Sequence, residues 1–146
     1  MADGLYTMNF EFKDGSTGNG WFILSDLTSS ASPTVESPAV GETFDIGNPE
    51  LRWMDFKSPE YKSAERRTLS LSISAINANR ATWEYYIGDP TMTHATVGSE
   101  PGGTGAKVLS DGKYWGVVSY HESRVFGPMR LVRVSRTGRQ FYVKTQ

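Results

Sequence analysis

The chain has no cysteine, which removes disulfide frameworks and thiolate metal sites together. Its two histidines, His94 and His121, are too few and too far apart for a zinc site, so no metal is expected. No apolar run approaches the roughly 20 residues of a membrane-spanning helix, and the first ten residues lack the apolar core of a signal peptide. No membrane span is expected, and the compartment is left open. Neither sign of charge dominates: 15 lysines and arginines face 16 acids, for a net charge of −1. That balance argues against nucleic acid as a partner. The G-x-S-x-G elbow, the phosphate loop and the dinucleotide fingerprint are all missing, so no cofactor is expected. No segment carries a helical period long enough for an α/β fold.

What the chain does have is strand patterning. In residues 67–75, Leu69, Leu71, Ile73 and Ala75 alternate with Ser70, Ser72 and Ser74, the period of two that buries one face. Asn77-Ala78-Asn79 interrupts the pattern, and Ala81, Trp83, Tyr85 and Ile87 resume it. A three-residue loop with Asn79 in the left-handed region sets Ile73 opposite Trp83, Leu71 opposite Tyr85 and Leu69 opposite Ile87. Ser72 then faces Glu84, and Ser74 faces Thr82. A two-residue loop would put Glu84 against Ile73 and bury a carboxylate among apolar neighbours, at a cost of several kcal/mol.

Further hairpins are read on either side. Residues 5–12 form a strand with Tyr6, Met8, Phe10 and Phe12 on one face; the glycine-rich turn 14–20 and the apolar residues 21–24 follow it. Residues 28–42, with Pro33 and Pro38, form a surface loop. Residues 43–46 and 50–56 pair around Gly47-Asn48-Pro49, and Ser58-Pro59-Glu60 is a helix-start signal. Residues 88–106 form a second long loop; the glycines of Gly98–Gly105 give Thr91–Ala106 the hinge freedom of a lid, or else this is a disordered surface loop. Residues 107–110 pair with 114–121 across Asp111-Gly112. Residues 125–135 pair with 140–144 across Thr137-Gly138, which sets Arg133 beside Tyr142, Val134 beside Phe141 and Val132 beside Val143.

Trp21, Trp53, Trp83 and Trp115 recur at intervals of 32, 30 and 32 residues, each near the start of a returning strand in this scheme. The expectation is one all-β domain over residues 1–146, an antiparallel β-barrel meandering through about eight to ten strands; a β-sandwich is the alternative. Charge fits a closed sheet. Residues 1–60 hold ten acids and three bases, whereas after Glu122 six basic residues follow and no acid. Neighbouring first and last strands would pair them across the seam.

The aromatics suggest the chemistry. Trp83, Tyr86, Trp115 and Trp53 are candidate walls for a flat or apolar ligand, or else core plugs. His94, in the long loop, and Arg133 are candidate polar contacts. Tyr85, Glu84 and His121 are the candidate proton carriers, although His121 and Glu122, adjacent on a strand, point to opposite faces. Ser70, Ser72 and Ser74 offer a hydroxyl surface or a plain solvent face. The first functional expectation is a small-molecule-binding barrel with an aromatic-lined cavity for a hydrophobic or aromatic ligand. If it is catalytic, it would be a cofactor-free isomerase, cyclase or lyase. A carbohydrate-binding β module, with tryptophans at its surface, is the second reading. A structural protein that assembles with further copies of itself is the third.

Overall fold

The computed structural model describes residues 4–24, 32–54, 66–89 and 91–145. Eleven strands run along them: β1 (Gly4–Glu11), β2 (Thr17–Leu24), β3 (Val35–Ser37), β4 (Glu42–Phe44), β5 (Glu50–Trp53), β6 (Arg66–Ala75), β7 (Trp83–Ile87), β8 (His94–Thr96), β9 (Thr104–Gly105), β10 (Gly112–Phe126) and β11 (Met129–Val143). The described residues contain no helix, and the fold is all-β, as the patterning requires. Three sheets result. β1 and β2 pair alone, β3-β5-β8 form a second sheet, and the largest runs β4-β11-β10-β6-β7-β9. Every pairing is antiparallel except that of β4 with β11.

The β6–β7 ladder has the register that alternation dictates: Leu69 opposite Ile87, Leu71 opposite Tyr85, Ser72 opposite Glu84 and Ile73 opposite Trp83. The connection differs from expectation. Asn77, not Asn79, takes the left-handed conformation, with φ of 71°. The ladder ends at Ile73 because Thr82 replaces the next rung. Its amide donates to the Ile73 carbonyl, and its Oγ1 accepts from the Ala75 amide at 3.2 Å.

The largest departure is at the C-terminal end. β10 and β11 are single 15-residue strands that turn at Gly127-Pro128, where Gly127 adopts φ of 58°. β11 runs straight through Thr137-Gly138. Arg133 therefore lies opposite Glu122, Val134 opposite His121 and Val132 opposite Ser123, while Tyr142 faces Lys113. The Lys113 ammonium, not Arg133, sits 5.5 Å from the Tyr142 ring centre.

Other expected hairpins give way similarly. β4 joins β11 and β5 joins the three-stranded sheet, so among the described residues the expected pairing of 43–46 with 50–56 is not formed. Residues 107–110 form no strand. The 28–42 loop holds β3, whose Val35 is buried, as are Pro33 and Pro38. The Ser58-Pro59-Glu60 helix signal lies outside the described residues.

Among the described residues no sheet closes into a barrel. Along its outer edge β11 pairs with the three residues of β4, and at the other side the sheet ends, among the described residues, on the two residues of β9. Short edge strands of this kind stop a sheet without closing it. The acid–base seam is not formed either, because β1 pairs with β2 and not with β11. The three-stranded and six-stranded sheets instead contribute to one apolar cluster. Leu51, Trp53 and Ala95 come from the smaller sheet, and Leu69, Leu71, Ile73, Trp83, Tyr120 and Phe141 from the larger. Each large side chain so buried contributes about 1.5–3 kcal/mol. Gly116 marks their closest approach: a Cβ there would lie 3.2 Å from the Phe141 ring and 3.4 Å from Leu51.

Candidate ligand-binding face

One face of the six-stranded sheet lies against this core, and alternation places a distinct set of side chains on the other. β6 contributes Thr68, Ser70, Ser72 and Ser74, and β7 contributes Glu84 and Tyr86. β10 adds Trp115, Val117, Ser119 and His121, and β11 adds Val132, Val134 and Arg136; the cross-strand registers bring these into adjacent rows. Tyr86 is 56% exposed and Trp115 41%. From Tyr86, opposite Ser70, to Trp115, opposite Ser74, is four residues along β6 and two strand spacings. That amounts to roughly 16 Å. The hydroxyls of Ser70, Ser72 and Ser74 lie in the interval.

The polar groups are held in place. Thr68 Oγ1 and Tyr86 Oη share a hydrogen bond of 2.7 Å, and Ser70 Oγ and His121 Nε2 share one of 2.8 Å. The Tyr86 and His121 rings lie 6.5 Å apart, tilted by 49°. Burial, and then the Arg136 guanidinium, hold the imidazole below its ordinary range, so it is neutral near pH 7. Two hollows meet at Tyr86. One, of about 270 Å³, runs over Ser70 and Ser72 beside Glu84 and is walled by Gly102 and Thr104. The other, of about 120 Å³, reaches Thr68, His121, Ser123 and Arg130.

Of the residues expected at a site, Tyr86, Trp115, Glu84 and His121 share this face. Tyr85 does not; its ring packs against the core at 6.0 Å from Trp83. Trp53 and Trp83 are 0% and 1% exposed and plug the core. Trp53 Nε1 donates to the Met92 carbonyl. Large aromatics fill a core with more buried apolar area than any other side chain, and these two do so. His94 lies on the three-stranded sheet, in a hollow with Glu36, Glu50, Arg52 and Thr93. Arg133 is on the inward side, opposite Glu122. Glu122 is only 2% exposed, with Arg67 Nε at 3.9 Å. Glu84 and His121 are separated by four residues and two strand spacings, roughly 16 Å, so they do not act on one proton.

The long loop is anchored to the core on both sides of its Gly98–Gly105 segment. Ala95, Val97 and Leu109 are core residues. The Asn48 amide donates to the carbonyls of Val97 and Lys107, the residues that flank the Gly98–Gly105 segment. Arg130, with Arg124 and Arg133, is a residue the sequence offers for holding a carboxylate or phosphate; Thr68, Ser123 and Arg136 at the face were missed. The signal for Ser123 and Arg136 lies in the alternation of 113–143, with Gly138 read as strand, and that for Thr68 in the alternation of β6. No protein-family model, curated protein or solved structure matches this chain.

Proposed function

We propose that the protein is a carbohydrate-binding β module that holds a polyhydroxylated chain across the outer face of its six-stranded sheet. One observation carries the reading: two exposed aromatic rings, Tyr86 and Trp115, flank a row of serine hydroxyls on the same rigid face. Aromatic faces stack on the apolar C–H surface of a sugar ring. Hydroxyls both donate and accept, which matches a ligand whose own groups do the same. A paired sheet holds its side chains at fixed intervals, so little ordering cost falls on the protein. The scaffold is an open pair of sheets around one core, closer to the sandwich alternative than to a barrel.

An apolar ligand enclosed among tryptophans finds less support, because Trp53 and Trp83 present no face to it. A cofactor-free isomerase or cyclase would use the hollow beside Tyr86, where Glu84 is the carboxylate at hand.

Affinity electrophoresis through gels containing neutral and acidic polysaccharides tests the reading. Retardation by at least one polymer is expected, abolished by Tyr86→Ala or Trp115→Ala and retained in Trp21→Ala, whose ring lies on the separate β1–β2 hairpin. No retardation by any polymer, or equal retardation of Trp115→Ala, would overturn it.

A further inference from the structure

Resting on the carbohydrate reading, we infer that the bound chain is acidic, and that the His121 end of the face seats its anionic group, a carboxylate or a sulfate. The smaller hollow gathers donors at this end: the hydroxyls of Thr68, Tyr86 and Ser123, the His121 ring and the Arg130 guanidinium. Arg136 stands on the other side of His121, because Arg130, Val132, Val134 and Arg136 follow one another along the outer face of β11 and Val134 lies opposite His121. The effect of Arg136 on the imidazole reports a positive field at this end.

Among the described residues no ion pair neutralises the Arg130 and Arg136 guanidinium groups. Glu122 borders the hollow, but its side chain is buried on the inward side of β10, where Arg67 faces it. Among the described residues, the next carboxylate on the outer face in this register is Glu84, roughly 16 Å from His121. Beyond Glu122 the chain carries no acid at all. Guanidinium groups bind carboxylate and sulfate oxygens through charge-assisted hydrogen bonds, stronger than those to neutral hydroxyls. The sheet thus has a hydroxyl-rich stretch between Tyr86 and Trp115, with Glu84 at its side, and a cationic end at His121, where Arg130 and Arg136 lie. An acidic sugar chain has both chemistries in one molecule.

The test uses the intact chain with three probes: dextran, polygalacturonate and dextran sulfate. At low salt, one acidic polymer should bind at least tenfold more tightly than dextran, and whichever is tighter identifies the acid. Arg130→Gln and Arg136→Gln should each reduce that preference severalfold while weak dextran binding persists. Arg139→Gln removes the same charge from the inward side of β11 and serves as the control; it should leave the preference intact. If dextran binds as tightly as both acidic polymers, the acidic inference falls and the carbohydrate reading stands. If Arg139→Gln costs as much as Arg130→Gln, the attraction is diffuse and the seat at His121 is overturned. If acidic polymers bind but Tyr86→Ala and Trp115→Ala change nothing, the sugar reading falls with it.

Discussion

Ser70 and His121 meet diagonally across β6 and β10, Oγ to Nε2 at 2.8 Å, although each lies directly opposite another residue, Ser119 and Thr68 respectively. The contact pins the imidazole on a face where burial and Arg136 disfavour its charged form. The consequence for stability has a definite sign. Above about pH 6.5 the ring is neutral in both folded and unfolded chains. As pH falls below that, the unfolded chain takes up a proton that the folded chain accepts only at lower pH, so stability drops across the window and then levels off. The melting temperature of the wild type should therefore fall between pH 7 and 5, more steeply than that of His121→Gln. Asp14, Asp89 and Asp111 do not blur the comparison. Hydrogen bonds from Ser16, Thr91 and Thr145 lower their pKa values, so the stability they add is present above about 3.8 and lost only below it. Parallel curves for the two proteins would contradict the assignment.

The Asn48 clamp makes the long loop a structural element. Asn48 Nδ2 donates to Val97 O at 2.9 Å and to Lys107 O at 2.6 Å. Asn48→Ala leaves both carbonyls without that donor and should cost about 2–3 kcal/mol, lowering the melting temperature by roughly 5–10 °C. Urea denaturation should show the loss in the midpoint with the slope unchanged.

Two glycines of the same loop separate backbone strain from steric exclusion. Gly98 and Gly102 both have positive φ, 74° and 87°. A Cβ on Gly98 would lie 1.9 Å from the Lys107 carbonyl oxygen, whereas a Cβ on Gly102 meets nothing within 4 Å. Gly102→Ala should cost about 1–2 kcal/mol, the left-handed penalty alone. Gly98→Ala must in addition displace backbone, and should lose 3 kcal/mol or more, on the order of the largest single-site effects. Chemical denaturation of the pair measures the difference; equal losses would show that the loop adjusts freely.

These contrasts also explain what the sequence disclosed. The β6–β7 register was legible because the competing loop buried Glu84, and a cost of several kcal/mol decides between registers. The expected C-terminal hairpin fails because Thr137-Gly138 reads as its turn, and residues 125–135 as one strand through Gly127-Pro128, where the chain in fact turns. The alternation of Val132, Val134 and Arg136 continues through Gly138 without a change of phase. Gly138 is there for another reason: it leaves room for the Trp115 indole. The tryptophan interval misled in the same way. Only Trp83 opens a returning strand; Trp21 lies within β2, Trp53 ends β5, and Trp115 is on the outgoing strand of its hairpin. Pairing between distant segments, such as β4 with β11, left no local signal. Glycine reports backbone freedom and not what neighbouring side chains bury, so the anchoring of Val97 and Leu109 on either side of Gly98–Gly105 left no signal there.

Tryptophan accessibility follows from the same division. Trp53 and Trp83 are sealed, whereas Trp21, at 61%, and Trp115, at 41%, meet solvent. Acrylamide should quench two of the four indoles, and Trp21→Phe and Trp115→Phe should each remove part of the quenchable fraction. A saturating polysaccharide should protect Trp115 and leave Trp21 as accessible as before. Protection of Trp21 alone would move the ligand to the β1–β2 hairpin.

Gly138 allows the stacking platform to be moved without unfolding the sheet. A Cβ at this position would lie 2.7 Å from Nε1, Cε2 and Cζ2 of Trp115. These atoms belong to the far end of an exposed side chain, which can swing away, and Gly138 does not have a positive φ. Alanine also suits a strand interior better than glycine, by roughly 0.5–1 kcal/mol, which offsets the indole packing that is lost. Gly138→Ala should therefore hold the melting temperature to within roughly 3 °C of the wild type. The displaced indole no longer lies flat on the sheet, so polysaccharide affinity should fall severalfold and acrylamide quenching of Trp115 should rise. A variant that melts normally and still binds at full strength would show that Trp115 does not form part of the binding surface.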